Sequence, residues 1–394
     1  MLQPKVPSTA QDDSRPAPAE PGVLRAEPGV SPPGARWSLP EEARVLIIRF
    51  SSLGDVVKCT ALPRLIKARY PRARITFVTA SDFLELIRDN PHLERAVGFD
   101  RRGGLGALAA FGRELAAEPP DLIVDVHKSL RSRWLKRFLS GRRTAYSKHT
   151  LRRALLIWFR VNTFQGSGGK EGDFLAGLLP YGVVDDGRGT EVFTHRVAED
   201  GDLRRRLARA LAALEGWRRE GRPVLGIAPI ARWELKTWPL DSFREVMEGF
   251  VRKTGGGVVL FGGADDGPVE ALLAGLKDKA VSLVGRTSLL ESAYFASLTD
   301  LVVSNDTGMS HVAEAVGTDV VTLFGPTSRE LGYYPVRPGS QPVEIPLTCR
   351  PCTRTGQGNC THPHRKACLE GISPEDVLAR VLARLSPDNA VAGP

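Results

Sequence analysis

From residue 44 onward, short runs of apolar and β-branched residues alternate with stretches whose apolar positions recur every three to four residues. "RVLIIRF", "RITFVTA" and "DLIVDVH" are strands of the first kind, with helices predicted through "TALPRLIKARYP" and from Asp82. A charged helical segment over about 199–219 follows, and then the rhythm restarts. "PVLGIAPI", "GGVVLFGG", "DLVVSND" and "DVVTLFGP" are strands, with helices from Leu240, Pro268 and Ser310 between them. Unbroken apolar strands joined by helices build parallel sheets covered on both faces. The expected fold class is therefore α/β, with two Rossmann-like domains facing a cleft. Ligands of such sheets sit at the carboxyl ends of the strands, so the loops after the strands are where chemistry is sought.

Composition narrows this picture. A chain of 394 residues suits two domains. Residues 1–40 carry nine prolines and little apolar periodicity, and are expected to be a disordered tail. The expected divisions are 1–40, an N-terminal domain over 41–195, a C-terminal domain over 196–345 and a cysteine-bearing end over 346–394. No run of about eighteen apolar residues occurs, nor does a basic start followed by an apolar stretch, so a cytoplasmic place is expected. A net charge of +9 suits an anionic partner.

The most informative loops follow the later strands. "LVVSNDTGMSHVAEAVGTDVVTLFGPTS" brings Asp306, Thr307 and Gly308 to a turn before a helix whose first turn contains His311. A helix start is an anion site suited to a diphosphate, although Asp306, Thr307 and Ser310 would also serve as caps. Gly325, Pro326 and Thr327 end the next strand beside it. Lys236, in "IARWELKTWP", can reach a leaving phosphate as a compact positive charge, or be a solvated lysine. Asp265 and Asp266, in "FGGADDGP", suit ribose hydroxyls or a turn; the choice between them stays open.

Together with "RFSSLGDVVKCTALPRLIKARYP", these loops resemble glycosyltransferase family 9, the heptosyltransferases of lipopolysaccharide core assembly, over about residues 44–385. The resemblance implies a GT-B type fold, an acceptor held by the first domain and a nucleotide sugar held by the second. It implies an inverting, metal-independent transfer from ADP-heptose to the lipid A-core acceptor, with no cofactor. Asp55 is then the base that deprotonates the acceptor hydroxyl, and Lys236 contacts the diphosphate. Asp306, Thr307, Gly308 and His311 line the donor site, with Asp265, Gly325, Pro326 and Thr327 as further donor contacts. Where family members carry small hydroxyl residues before the lysine, this chain has Ile230, Ala231 and Arg232. Residues alone allow Asp55 to be a helix cap beside Gly54.

Eleven lysines and arginines fall between Lys128 and Arg160, and no acidic residue lies between Asp125 and Glu171. Trp134, Phe138, Tyr146 and "LLIWF" interleave with them. The stretch suits an anionic acceptor presented at the inner membrane surface, with phosphate-based nucleic-acid binding as the competing reading. Its place in the first domain and the absence of a nucleic-acid module favour the former. Ser52, Lys128, Arg131 and Arg133 are the candidate acceptor contacts, and the enzyme is expected to be peripheral to that membrane. Cys349, Cys352, Cys360 and Cys368 have the spacing C-x2-C-x7-C-x7-C, which leaves structural zinc open; no catalytic metal is expected. The alternatives are another nucleotide-sugar transferase or an epimerase of this fold, or a basic nucleic-acid or phospholipid-binding protein. A monomer is the default expectation. A final helix, "SPEDVLARVLARL", starts at a Ser-Pro cap and in this fold is expected to cross back to the first domain.

Overall fold

A computed structural model of the chain describes residues 35–144, 147–164 and 169–386. It contains two parallel sheets. The first runs β3-β2-β1-β4-β5, with β1 Arg44–Ile48, β2 Arg74–Ala80, β3 Arg95–Phe99, β4 Leu122–Asp125 and β5 Arg142–Arg143. The second runs β11-β10-β9-β6-β7-β8, with β6 Val224–Ala228, β7 Gly257–Leu260, β8 Ala280–Ser282, β9 Leu301–Asn305, β10 Val320–Leu323 and β11 Gln341–Val343. The expected α/β architecture of two Rossmann-like halves is present. In each sheet the winding reverses once, between β1 and β4 and between β6 and β9. These switch points are where strand ends leave a crevice.

The central strands are apolar because both faces are covered: β6 and β9 are buried at every residue. Two core clusters flank each sheet. Ile47, Ile75, Phe77 and Val124 lie on one side of the first sheet, with Leu46, Ile48, Val78 and Ile123 on the other. Several expectations change. The helix foreseen from Pro268 is instead a 3-10 run over Ala264–Leu273 with Pro268 inside it. The segment 199–219 is broken into the helices His195–Glu199, Gly201–Arg206 and Ala208–Arg219. The last helix, Pro374–Arg384, does not cross back to the first domain. Its Val377, Leu378 and Val381 join the core of the second sheet, and Leu378 fits against Gly249 of the helix Leu240–Thr254.

Residues 1–34 and Tyr146 lie outside the described residues, and with them most of the expected tail. The remainder of 1–40 is held. Arg36 and Trp37 donate their amides to the Pro180 carbonyl, and the Trp37 ring lies 5.3 Å from that of Tyr181. Among the described residues no helix is long and apolar enough to cross a membrane.

Candidate active site

The turn after β1 places its carboxylate through the helix that follows. Ser52 is the N-cap of the helix Leu53–Lys58, and Asp55, three residues on, reaches back to it. One Asp55 carboxylate oxygen accepts from Ser52 Oγ at 3.1 Å and from the Ser52 amide at 3.5 Å. The same oxygen is ion-paired with Arg49, whose guanidinium also donates to the Val126 carbonyl and lies 5.4 Å from the Phe174 ring centre. Asp55 is therefore not the N-cap beside Gly54 that its residue type allowed, since Ser52 takes that place; it is the third helical residue, a fixed carboxylate that closes the capping box. The Asp55 side chain is 12% exposed, so it is shielded without being sealed. His127, at the end of the adjacent strand, packs its ring edge-on to Phe50. Burial, then the charges of Arg49 and Lys148, push its pKa down to about 4.

The second turn closes on a charge pair of its own. Lys236 Nζ lies 2.6 Å from Asp306 Oδ2, and Thr327 Oγ1 donates to that same oxygen at 2.6 Å. Three loops that are distant in sequence meet there. Asn305 ties two of them, accepting the Trp238 amide at 3.0 Å and donating to the Pro229 carbonyl at 2.6 Å. Thr307 is the N-cap of the helix Gly308–Ala315 and accepts the Met309 amide. His311 is buried in the first turn of that helix.

The two turns face each other at van der Waals distance. A methyl group at Gly308 would fall 2.5 Å from Leu53 Cδ2, and one at Gly54 would fall 2.5 Å from His311 Cδ2. Both positions require glycine for this approach. The carboxylate turn and the helix start expected to hold a diphosphate therefore lie against one another.

Of the remaining candidates, Lys128 and Arg133 line a cavity of about 390 Å3 together with Lys136, Lys148 and Thr150. Arg131 is not among its lining residues. Asp125 anchors this wall: it accepts the Lys128 amide at 2.8 Å and pairs with Lys136 at 2.5 Å. Burial and the neighbouring Arg49 and Arg354 lower the pKa of Lys148. Asp266 accepts the Gly263 amide at 2.7 Å as a local cap, whereas Asp265 is exposed. Gly325 and Thr327 are gripped from behind, as Arg350 donates to both their carbonyls and the Cys352 amide donates to that of Pro326. The cysteine-bearing segment thus buttresses the loop that ends β10.

All five cysteines are free, and burial raises the Cys368 thiol to about 11. Among the described residues no group of three His, Cys, Asp or Glu is arranged to hold a metal ion.

Residues 193–360 match the model of glycosyltransferase family 9 (heptosyltransferase). The chain is a glycosyltransferase whose residues 193–360 are similar to that family. Lipooligosaccharide heptosyltransferase 2 of Haemophilus influenzae is 26% identical over 307 residues, covering 72% of this chain and 84% of the relative. A family 9 glycosyltransferase structure from Veillonella parvula superposes with a TM-score of 0.66 at 20% identity, over 87% of this chain and 97% of the other. The structure of E. coli ADP-heptose lps heptosyltransferase II gives 0.61 at 20% identity, over 86% and 98%. These solved structures share the GT-B fold with this enzyme.

Three site residues escape sequence reasoning. Arg49 is the last cation before the turn and carries only one hint, a charge at the end of an apolar strand. Asn305 reads from "VVSND" as the first residue of the turn, with nothing to show that it ties two other loops. Arg350 lies between two cysteines that draw attention away from it.

Proposed function

We propose that this family 9 glycosyltransferase transfers a heptose from ADP-heptose to the inner core of lipopolysaccharide, inverting the anomeric centre without a metal. The observation that carries this reading is the contact between the Asp55 turn and the start of the helix Gly308–Ala315. A base and an anion site placed against each other are what an inverting displacement requires. The acceptor hydroxyl gives its proton to Asp55 as its oxygen attacks the anomeric carbon. The bond from that carbon to the diphosphate oxygen breaks, and ADP departs with the bonding electrons. Arg49 and Ser52 keep the carboxylate oriented throughout.

On the donor side the helix amides and Lys236 receive the charge that develops on the diphosphate. Asp306, itself held by the Thr327 hydroxyl, orients the ammonium group. Lys128 and Arg133 meet anionic groups of the acceptor, and the enzyme works at the cytoplasmic face of the inner membrane. The names of the relatives support heptose as the sugar and lipopolysaccharide as the acceptor class.

The test is transfer from ADP-heptose to defined core acceptors, read by mass spectrometry in the presence of EDTA. One added heptose per acceptor is expected, and Asp55→Ala should bind ADP while failing to transfer. Transfer from another nucleotide sugar alone would overturn the donor, and loss of activity in EDTA would overturn the metal-free reaction.

A further inference from the structure

The helix Thr150–Phe159 is inside out. At 100° per residue, Leu151, Leu155, Trp158 and Phe159 share one side, and Arg153 and Leu156 share the other. The buried side carries Arg153, which pairs with Asp173 at 3.4 Å, and His149 meets the same carboxylate at 3.1 Å. The outward side is apolar, with Leu151 73%, Trp158 78% and Phe159 67% exposed. Val161 continues the patch, and Leu130 opens the neighbouring helix in the same exposed state.

Large apolar side chains clustered in water mark a surface that is covered in use. The charge around this one specifies the cover. No acidic residue lies over 126–170, and Arg133, Arg137, Arg142, Arg143 and Arg152 are exposed. The basic cavity of Lys128, Lys136 and Lys148 opens at the N-terminal end of the helix. A protein partner would have to neutralise this field with a dense acidic face. An anionic bilayer does so at every point while accepting leucine, tryptophan and phenylalanine between its headgroups.

We propose that the outward face of the helix Thr150–Phe159 docks the enzyme on an anionic bilayer. This rests on the reading that the acceptor is membrane-borne, and it names the surface that brings the enzyme there. The helix is well placed to orient the cleft, because Arg160 at its end donates to the carbonyls of Thr348 and Cys349 from the C-terminal segment.

The experiment uses the full chain and vesicles of phosphatidylcholine alone or mixed with phosphatidylglycerol. Wild-type protein is expected to sediment with the mixed vesicles and to be released by salt. The triple variant Leu151→Ser, Trp158→Ser, Phe159→Ser should lose about tenfold or more in partitioning, and Arg152→Glu about tenfold. Both should keep the wild-type melting temperature and turnover on a water-soluble, deacylated acceptor. Equal vesicle binding by wild type and the triple variant would overturn the proposal. So would a wild-type dimer that the triple variant cannot form, if neither binds vesicles. Vesicle binding by a protein that transfers no sugar would remove the proposed reaction and leave the docking face standing.

Discussion

The turns after β1 and β9 are built alike but differ in how far they shield their carboxylates. Each follows a buried central strand, each starts a short helix, and each holds an aspartate against a cation: Asp55 with Arg49, and Asp306 with Lys236. The difference lies in position and exposure. Asp55 is inside its helix, capped back onto Ser52 and 12% exposed, whereas Asp306 precedes its helix and is 3% exposed with Thr327 closing it off. A carboxylate that must receive a proton has to be reachable, and one that orients a lysine does not. On the proposed reading, the same pairing yields a base on one side and a positioning group on the other.

The largest effect should separate the two aspartates. Asp55→Ala is expected to lower turnover by about 10²- to 10⁴-fold while ADP affinity stays within about twofold. Asp306→Ala should instead weaken ADP binding; the comparison fails if calorimetry finds both variants equally impaired in binding. Next, Lys236→Ala leaves Asp306 buried without its cation, with an expected loss of about 3–5 kcal/mol in denaturant unfolding. Adding Asp306→Asn should recover part of that loss, because the two residues share one interaction.

The third prediction concerns His127, which sits beside the Arg49 of the first turn. Its folded pKa is depressed from 6.5 to about 4, so between those values the unfolded chain binds the extra proton and the folded chain does not. Stability should therefore fall as pH drops through this window, by up to about 3 kcal/mol. Melting temperatures of wild type and His127→Gln at pH 7 and pH 4.5 measure it, and the variant should lose less. The smallest effect belongs to the contact between the turns. Gly54→Ala should cost about 1–3 kcal/mol through its clash with His311, and stability and kcat/KM should fall together.

What was legible in the chain follows burial. The strands read from apolar runs, β1, β2, β4, β6, β7, β9 and β10, are interior strands of their sheets. The four that escaped, β3, β5, β8 and β11, are all edges. Edge strands are short and half-solvated; β5 is two exposed arginines and β11 contains a proline. The loops after interior strands were legible for the same reason, since an apolar run that stops at polar and small residues marks its own end. Asp55, Lys236, Asp306 and Thr307 all stand in such loops, while the roles expected of them came from the resemblance to glycosyltransferase family 9.

Sequence alone determined the α/β alternation, the two halves and the residue types at the carboxyl ends of the central strands, because these depend on local periodicity and on which side chains tolerate burial. Tertiary structure decided the pairings: Arg49 with Asp55, Lys236 with Asp306, Arg350 behind Gly325 and Thr327, and glycine against His311 across the cleft. It also decided that the helix Thr150–Phe159 turns its apolar side outward. A helical pattern fixes which residues share a face, but only the position of a partner such as Asp173 fixes which face looks in.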